Sequence, residues 1–309
     1  MMMIKPKFWD KEIGLISILL LPFSLIVLFL IFLKRNFTKN NTFNIPVICV
    51  GNIYVGGTGK TPMSIFLSKE LVRLGKKPVI IRKFYKEHTD EHDLIKNSFE
   101  SLILNSKRLA GIKEAIKSGY DIAVLDDGFQ DYSIKKNLNI VCFNQNQLIG
   151  NGLVLPAGPL RESLDSLTNA DIIIVNGQRD KNFEEKILKI NSDLKIFYSR
   201  YKAENLNEFK DKRLFALAGI GNPENFFQLI ENNNLIIKKK FIFPDHYKFS
   251  KSEIQSIISE AERCNCEIVM TEKDYFKIKD FNLKNMNYLK VSLVLDEQEN
   301  LFSMVKEII

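Results

Sequence analysis

The sequence predicts an α/β protein with a P-loop-containing, mostly parallel sheet and helices on both faces, a second smaller α/β lobe, and an N-terminal membrane helix. Three observations predict it. Apolar runs of strand length alternate with helical stretches, an uncharged apolar run lies near the N-terminus, and a glycine-rich segment follows the first strand. Near-continuous apolar strands separated by helices are typical of parallel sheets that are covered on both faces.

The composition is that of a globular protein larger than one ordinary domain. The chain has 309 residues, of which 45% are hydrophobic and 26% charged, and this excludes disordered, collagen-like and low-complexity classes. A single hydrophobic core stops growing at roughly 250–300 residues, so we expect two lobes. The net charge of +7 favours anionic partners such as nucleotides, phospholipid headgroups or nucleic acids. Four cysteines make no disulfide framework in a chain of this length and indicate a reducing compartment.

Residues 13–33 form an uncharged apolar run that predicts a membrane helix. At about 1.5 Å per residue such a helix is about 31 Å long, close to the hydrocarbon thickness of a bilayer. The run is too long for a cleaved signal peptide, and Lys34 and Arg35 follow it instead of a small-residue cleavage site. The alternative is a buried helix of a soluble protein, but the run has no polar face. Basic residues on both sides leave the orientation open.

The rest of the chain divides into two series of strands and helices. The first series has strands at 46–50, 78–81, 121–125, 139–143 and 171–175, with helices at 62–74 and 106–117. The second has strands at 215–218, 236–243 and 267–270, with helices at 223–229 and 251–264. A polar stretch around 178–193 separates the two series. We therefore expect an anchor and junction over 1–41, a first lobe over 42–177 and a C-terminal α/β lobe over 178–309.

A glycine-rich segment between the first strand and the first helix predicts a phosphate-binding loop. It contains the run Gly56-Gly57-Thr58-Gly59-Lys60-Thr61. Glycines let backbone N–H groups converge on phosphate oxygens, and a helix N-terminus adds positive potential. We expect Lys60 to neutralise the β- and γ-phosphates and the Thr61 hydroxyl to bind Mg²⁺. The usual G-x-x-x-x-G-K-T spacing would place glycine where Tyr54 stands, so Gly56 and Gly57 are expected to supply the flexibility.

An acidic segment follows the strand predicted at 121–125. It reads Asp126-Asp127-Gly128-Phe129-Gln130. Ligands of open α/β sheets bind outside the carboxyl ends of the strands, so this segment and the phosphate loop should share one edge. Two carboxylates there suit a hard divalent cation that bridges phosphates, and we expect Asp126, Asp127 and Gln130 to surround Mg²⁺. The alternative is a solvated turn, and the pattern does not choose between Asp126 and Asp127 as the direct ligand.

The combination of motifs resembles the tetraacyldisaccharide 4′-kinase family, whose members phosphorylate a lipid A precursor. The resemblance rests on the apolar N-terminal run together with six further segments in the same order. These are VGNIYVGGTGKTP (50–62), LDDGFQ (125–130), NGLVLPAGPLRES (151–163), AGIGNPENFF (218–227), FPDHYKFS (243–250) and TEKDYFK (271–277). The resemblance covers nearly the whole chain, and its specificity lies in the set. One departure is Asp131, which stands where the family usually has histidine after DDGFQ.

The resemblance implies residue roles that the spacing alone does not give. The family's general base is an aspartate in a Gly-Asp-Glu-Pro segment, which matches Thr89-Asp90-Glu91-His92 here, so Asp90 would act on the acceptor hydroxyl. The family pairs that aspartate with the histidine of an Asp-His motif, here His246. Without the resemblance, Asp90 reads as one member of a charged loop and His246 as a turn residue. Arg161 and Glu162 come after Pro159 and could hold substrate or ATP phosphate, since arginine binds phosphate through two hydrogen bonds; the alternative is a surface ion pair.

The resemblance also implies the cofactors, partners and location. We expect ATP and Mg²⁺ as cofactors, and a kinase that transfers the γ-phosphate to the 4′-hydroxyl of tetraacyldisaccharide 1-phosphate to form lipid IVA. The partners would be this lipid A disaccharide precursor and the phospholipid of the inner membrane, with the catalytic domain cytoplasmic, no nucleic acid and no assigned oligomeric state. The alternatives are a membrane-anchored P-loop NTPase switch, which should carry an Asn-Lys-x-Asp motif absent from this sequence, and a non-catalytic scaffold.

Overall fold

The computed structural model describes residues 6–85, 89–245 and 247–309, and the side chains of all of these except 89 and 90. The chain forms two compact units. The larger comprises 6–84, 101–200 and 295–309, and the smaller comprises 85–100 and 201–294. The division at residue 177 stays a prediction about domains. Residues 178–200 belong to the larger unit because they supply a helix and most of a strand of its sheet.

The helices and strands alternate along most of the described chain. The α-helices are α1 (Leu15–Phe37), α2 (Lys60–Arg73), α3 (Thr89–Ser98), α4 (Arg108–Lys117), α5 (Lys181–Leu188), α6 (Pro223–Asn232), α7 (Lys251–Arg263), α8 (Glu272–Ile278) and α9 (Gln298–Lys306). The strands are β1 (Val47–Gly51), β2 (Pro78–Lys83), β3 (Leu102–Asn105), β4 (Ile122–Asp126), β5 (Leu138–Asn144), β6 (Ile172–Asn176), β7 (Lys195–Ala203), β8 (Arg213–Ala218), β9 (Ile236–Ile242), β10 (Glu267–Thr271), β11 (Met286–Leu289) and β12 (Val291–Leu295).

The strands of the larger unit form one sheet in the order β7-β6-β5-β1-β4-β2-β3. Strand β1 lies between β4 and β5 and pairs in parallel with both. Every residue of β1, β4 and β6 is buried, as expected for strands covered on both faces. The chain leaves β1 towards β2 on one side, whereas β5 lies on the other side. This reversal makes the carboxyl end of β1 the place where an open α/β sheet binds ligands.

Helix α1 has the reverse of the usual amphipathic pattern. Its serines Ser17 and Ser24 are buried against the larger unit, whereas Leu19, Phe23 and Ile26 on its other side are more than half exposed. The Ser24 hydroxyl donates to the Val154 carbonyl at 2.8 Å. A surface helix of a soluble protein turns its apolar face inward and its polar face to water. Among the described residues, α1 is the one helix long and apolar enough to cross a membrane, which makes it the candidate membrane anchor.

The contacts of α1 with the larger unit extend along most of its length. Near its start, the Asn151 amide donates to the Ser17 hydroxyl at 3.2 Å. Near its end, Lys34 donates to the Gln130 carbonyl at 3.1 Å. The helix therefore exposes one face and not its whole circumference.

The smaller unit has its own four-stranded sheet, ordered β11-β10-β8-β9 with all neighbouring pairs parallel. Separate apolar clusters cover the two faces of this sheet, one around Phe227 and Ile230 of α6 and the other around Ile254 and Ile258 of α7. Helix α3 packs against α8. The sequence-predicted fold class is confirmed: both units contain buried parallel sheets with helices packed against them.

Candidate functional site

Hydrogen bonds from the buried side chain of Asn52 hold the loop that joins β1 to α2. Asn52 is wholly buried, and its side-chain amide donates to the Tyr54 carbonyl at 2.7 Å and to the Thr58 hydroxyl at 3.0 Å. Gly59 directly precedes α2 with a φ of 90°, a left-handed conformation that favours glycine. Lys60 is the first residue of α2. The loop thus ends at a helix N-terminus, where backbone N–H groups and the helix dipole favour an anion.

The two neighbouring glycines complete the loop. Gly56 has a φ of 130°, which is also in the left-handed region. Gly57 follows it, before the buried Thr58. Gly56 therefore adopts a backbone conformation that favours glycine, as expected from the sequence.

Tyr54 explains why this loop departs from the usual glycine spacing. Residue 54 pairs as an antiparallel bridge with Leu160, and the neighbouring Val55 N–H donates to the Pro159 carbonyl at 2.9 Å. The Tyr54 side chain is wholly buried in the core, and its hydroxyl donates to Asp10 at 3.2 Å. Residue 54 therefore belongs to a strand-like pairing that tolerates a side chain, and its ring packs in the core.

Asp126 is the wholly buried last residue of β4, and three side chains contact its carboxylate. It accepts hydrogen bonds from the Thr61 and Ser64 hydroxyls of α2, each at 3.1 Å. It also forms an ion pair with Arg82, which lies opposite it in the β2–β4 register. Arg82 donates in addition to the Thr61 hydroxyl at 3.2 Å. This network joins the first turn of α2 to the carboxyl ends of two strands.

Replacing Arg82 with methionine is expected to lower the free energy of unfolding by about 3–5 kcal/mol, because the Asp126 carboxylate would stay buried without its ion-pair partner. The matched control is Arg73→Met, since Arg73 pairs with Glu70 at the surface with 73% of its side chain exposed, and we expect a loss below about 1 kcal/mol. Urea denaturation measures both. Asp126→Asn in the Arg82→Met background should recover part of the loss. Equal small losses for Arg82→Met and Arg73→Met would contradict the buried network.

Asp127 follows Asp126 but faces a different set of partners. Its backbone is left-handed, with a φ of 57°. Its carboxylate accepts from Arg161 at 2.9 Å and lies 3.7 Å from the Lys60 ammonium. Arg108 donates to its backbone carbonyl at 2.6 Å. The two neighbouring carboxylates are therefore separated: Asp126 is enclosed beside Thr61, and Asp127 lies among cations.

Lys60 and Arg161 stabilise the negative charge of the Asp127 carboxylate. Burial alone would raise the pKa of Asp127, but Lys60 and then Arg161 outweigh burial and hold that pKa well below its usual range. Burial lowers the pKa of Lys60, an effect that Asp127 opposes. Two cationic side chains, those of Lys60 and Arg161, meet the one Asp127 carboxylate. The excess of positive charge, next to a helix N-terminus, favours a polyanion such as a nucleotide phosphate chain.

Gln130 and Glu162 are engaged by other parts of the larger unit. The Gln130 amide nitrogen donates to the Asn52 carbonyl at 2.7 Å, so Gln130 supports the loop and only its Oε1 could contact a cation. Glu162 is buried and accepts a hydrogen bond from the Tyr132 hydroxyl. Its second oxygen, Oε2, is buried and has no hydrogen-bond partner within the described part of the chain. This oxygen is a further candidate acceptor for a bound cation or donor group.

Asp131, the departure from the family pattern, supports Arg108. Its carboxylate lies 3.6 Å from the Arg108 guanidinium and accepts from the Ser133 hydroxyl at 2.6 Å. Arg108 thus contacts both Asp131 and the Asp127 carbonyl. At this position the chain uses a carboxylate to place an arginine.

The two catalytic candidates on the other unit are described only in part. The backbone of Asp90 lies in the first turn of α3, but its side chain is outside the described residues, as is His246 entirely. Their roles therefore stay predictions.

Sequence reasoning missed the roles of Arg82, Ser64, Asn52 and Arg108. Arg82 carried a usable signal, because the charges of Arg82 and Lys83 end an otherwise apolar strand that begins at residue 78. A charge in such a strand end points to a buried partner on a neighbouring strand. Its partner depends on the order and register of the strands, which the sequence did not assign.

The chain is similar to known kinases over nearly its whole length. The family model for tetraacyldisaccharide-1-P 4′-kinase matches residues 16–309. A tetraacyldisaccharide 4′-kinase of Pelagibacter ubique is 41% identical over 302 residues, covering 96% of this chain and 95% of that protein. One of Rickettsia peacockii is 34% identical over 313 residues, covering 95% of each.

A solved structure shares the fold. The crystal structure of "apo" form LpxK from Aquifex aeolicus in complex with ATP matches with a TM-score of 0.73 at 23% identity, covering 95% of this chain and 99% of that one. Given the family match over nearly all of its length and the identity to curated relatives, this chain belongs to the tetraacyldisaccharide-1-P 4′-kinase family.

Proposed function

We propose that this protein transfers the γ-phosphate of ATP to the 4′-hydroxyl of tetraacyldisaccharide 1-phosphate, forming lipid IVA. The observation that carries the proposal is the position of Lys60. It lies at the N-terminus of α2, 3.7 Å from Asp127 and beside the network of Thr61 and Asp126, in a chain of this kinase family. A phosphate loop and an acidic strand end at one edge of a sheet are the donor half of a phosphoryl-transfer site.

The ATP phosphates would lie along the loop from Gly56 to Thr61. Backbone N–H groups of the loop and of the first turn of α2 would bind phosphate oxygens, and Lys60 would neutralise charge on the β- and γ-phosphates. Arg161 already contacts Asp127 at 2.9 Å and can bind a phosphate through two parallel hydrogen bonds. An incoming polyanion would compete with Asp127 for Lys60 and Arg161.

The donor atoms beside Lys60 fit Mg²⁺. The Thr61 hydroxyl and Asp126 Oδ2 are 3.1 Å apart, and both are hard oxygen ligands of the kind that Mg²⁺ binds. Within the described ranges there is no group of three or more His, Cys, Asp or Glu side chains that could hold a metal alone. Mg²⁺ typically uses one or two carboxylates and completes its shell with phosphates and water. Bound there, it would neutralise charge on the transferred phosphate, with Thr61, Asp126 and Asp127 as its protein ligands or near neighbours.

The acceptor half of the site is proposed to use Asp90 and His246. Transfer requires the sugar hydroxyl to be positioned and its proton removed as the new bond forms. Asp90 would accept that proton, and His246 would orient Asp90 and tune its pKa. Family membership supports both roles, because these residues match the family's motifs.

The N-terminal helix is proposed to hold the enzyme at the cytoplasmic face of the inner membrane, where its lipid substrate is located. The exposed apolar face of α1 supports this, since Leu19, Phe23 and Ile26 would otherwise contact water. Cytoplasmic placement agrees with free thiols at Cys49, Cys142, Cys264 and Cys266.

Substituting serine for Leu19, Phe23 and Ile26 together should weaken binding to phospholipid vesicles by at least about tenfold, because each buried apolar side chain contributes about 1.5–3 kcal/mol. Vesicle co-sedimentation measures the change. The control is Val72→Ser on α2, which changes an exposed apolar side chain elsewhere on the larger unit. Vesicle binding unaffected by the triple substitution would show that another surface binds the membrane.

Label transfer tests the proposed function. Purified protein is incubated with Mg²⁺, the monophosphorylated tetraacyl disaccharide and ATP labelled at either the γ- or the α-phosphate. We expect label in the lipid only from γ-labelled ATP, with one ADP formed per phosphate transferred. ATP hydrolysis without lipid labelling would replace the kinase with an NTPase switch, and no nucleotide turnover would support a scaffold.

A further inference from the structure

Lys273 lies between two carboxylates of the smaller unit that belong to different elements. Its ammonium nitrogen is 3.0 Å from Asp245 Oδ1, in the loop after β9, and 3.3 Å from Glu91 Oε1, on α3. Lys273 itself is in the first turn of α8. One side chain therefore joins α3, the loop after β9 and α8.

A buried aspartate holds the start of α8, and with it Lys273, in place. Asp274 is wholly buried and accepts from the Gly219 N–H at 2.7 Å and from the Thr271 hydroxyl at 2.6 Å. Lys277 completes the set at 2.7 Å from Asp274. Because the backbone of α8 is tied to the ends of β8 and β10 in this way, Lys273 starts from a fixed position.

The electrostatics indicate that the bridge is more than a surface ion pair. A cation in the first turn of a helix is disfavoured by the helix dipole, so Lys273 needs compensating negative charge. Only 13% of its side chain is exposed, against 20% for Glu91 and 31% for Asp245. Partly buried pairs are screened less by water and salt than exposed ones. The two carboxylates therefore hold Lys273, and Lys273 holds the segments that carry them.

Both carboxylates are direct sequence neighbours of the proposed catalytic pair. Glu91 follows Asp90, and Asp245 precedes His246. We propose that Lys273 is a positioning residue that ties the segment of Asp90 to the segment of His246 for the acceptor half of the reaction. The inference rests on the proposed function, in which those two residues act on the acceptor hydroxyl. A misplacement of about 1 Å at a reacting group can lower turnover about 100-fold.

Three variants of the full-length protein test the proposal. Lys273→Met removes the charge and keeps most of the length, and we expect kcat to fall about 10- to 100-fold while KM for ATP changes less than about twofold. Lys273→Arg keeps the charge and should restore most of kcat. The matched control is Lys279→Met. Lys279 lies 3.9 Å from Asp93, which is on helix α3 like Glu91, and the ion pairs described join Lys279 to neither Glu91 nor Asp245. Its kcat should equal that of wild type.

A double-mutant cycle separates positioning from general stability. If Lys273 acts through Asp90, Lys273→Met should cause no further loss of kcat in an Asp90→Asn background, because the placed group has already lost its function. A merely structural role would lower activity equally in both backgrounds, and that result would overturn the proposal. So would a Lys273→Met protein with the kcat of wild type, or a loss shared by Lys279→Met.

Hydrogen exchange gives a readout that does not depend on catalysis. Lys273→Met should speed amide exchange in α3 and in the loop after β9, and Lys279→Met should leave the loop unchanged. Unaltered exchange in Lys273→Met would overturn the bridge even if the enzyme is active. If exchange in Lys273→Met is altered but the wild-type protein labels no lipid in the label-transfer experiment, the bridge stands and the proposed function is rejected.

Discussion

Lys60→Met is expected to lower kcat by about 10²–10³, because it removes a fixed positive charge from the place where the transferring phosphate gains negative charge. The side chain of Lys60 is 12% exposed and lies 3.7 Å from Asp127, so its position is set before ATP binds. Burial lowers the pKa of Lys60, and phosphate binding would favour its charged form again. Methionine has a similar length and no charge, so the substitution tests charge more than volume. Steady-state kinetics with saturating lipid substrate measures the loss.

The matched control for Lys60→Met is Lys69→Met. Lys69 is an exposed residue of the same helix α2, so it reports any general effect of removing one lysine from that helix. We expect Lys69→Met to keep the kcat of wild type. We expect Lys60→Met to unfold cooperatively in urea, which shows that the variant is folded. Similar activities for the two variants would remove Lys60 from the reaction.

Asp90→Asn is expected to lower kcat by about 10²–10⁴, the range that general acid–base groups contribute, while ATP affinity changes little. Asparagine keeps the shape of the side chain and removes its ability to take a proton. The loss should be in turnover because the proposed role of Asp90 concerns the acceptor hydroxyl and not the nucleotide. Single-turnover kinetics and equilibrium ATP binding, measured on the same preparation, separate the two quantities.

The control for Asp90→Asn is Asp93→Asn on the same helix. Asp93 has 43% of its side chain exposed and forms a long ion pair with Lys279, so its substitution should leave kcat within about twofold of wild type. Equal losses of kcat and ATP affinity in Asp90→Asn would mean that the general base is another residue.

The buried strands could be predicted because burial on both faces makes them apolar without interruption. The run predicted at 121–125 is β4 at Ile122–Asp126, and the run predicted at 46–50 is β1 at Val47–Gly51. Strand β7 was missed because exposed and buried residues mix along its sequence KIFYSRYKA. Its hydrogen-bonded pairing with β6, and not the hydrophobic pattern of its sequence, makes it a strand.

The site could be predicted as far as its residues come in one motif. The sequence places Lys60 and Thr61 directly before a predicted helix and Asp126 directly after a predicted strand, and the structure brings Thr61 and Asp126 to 3.1 Å. The partner of Asp126 could not be predicted, because Arg82 reaches it only through the β2–β4 register. The different surroundings of Asp127 follow from a φ of 57°, which the residue types alone do not fix.

The position of the new phosphate tests the central claim most directly. Wild-type protein is allowed to convert tetraacyldisaccharide 1-phosphate with MgATP, and phosphorus–proton correlation NMR locates the second phosphate on the sugar, with a 4′-deoxy disaccharide as the matched substrate control. We predict a phosphomonoester at the 4′ carbon, no product from the 4′-deoxy compound, and no product from Lys60→Met on the same timescale. A phosphate at any other hydroxyl, or lipid phosphorylation that Lys60→Met retains, would contradict the account.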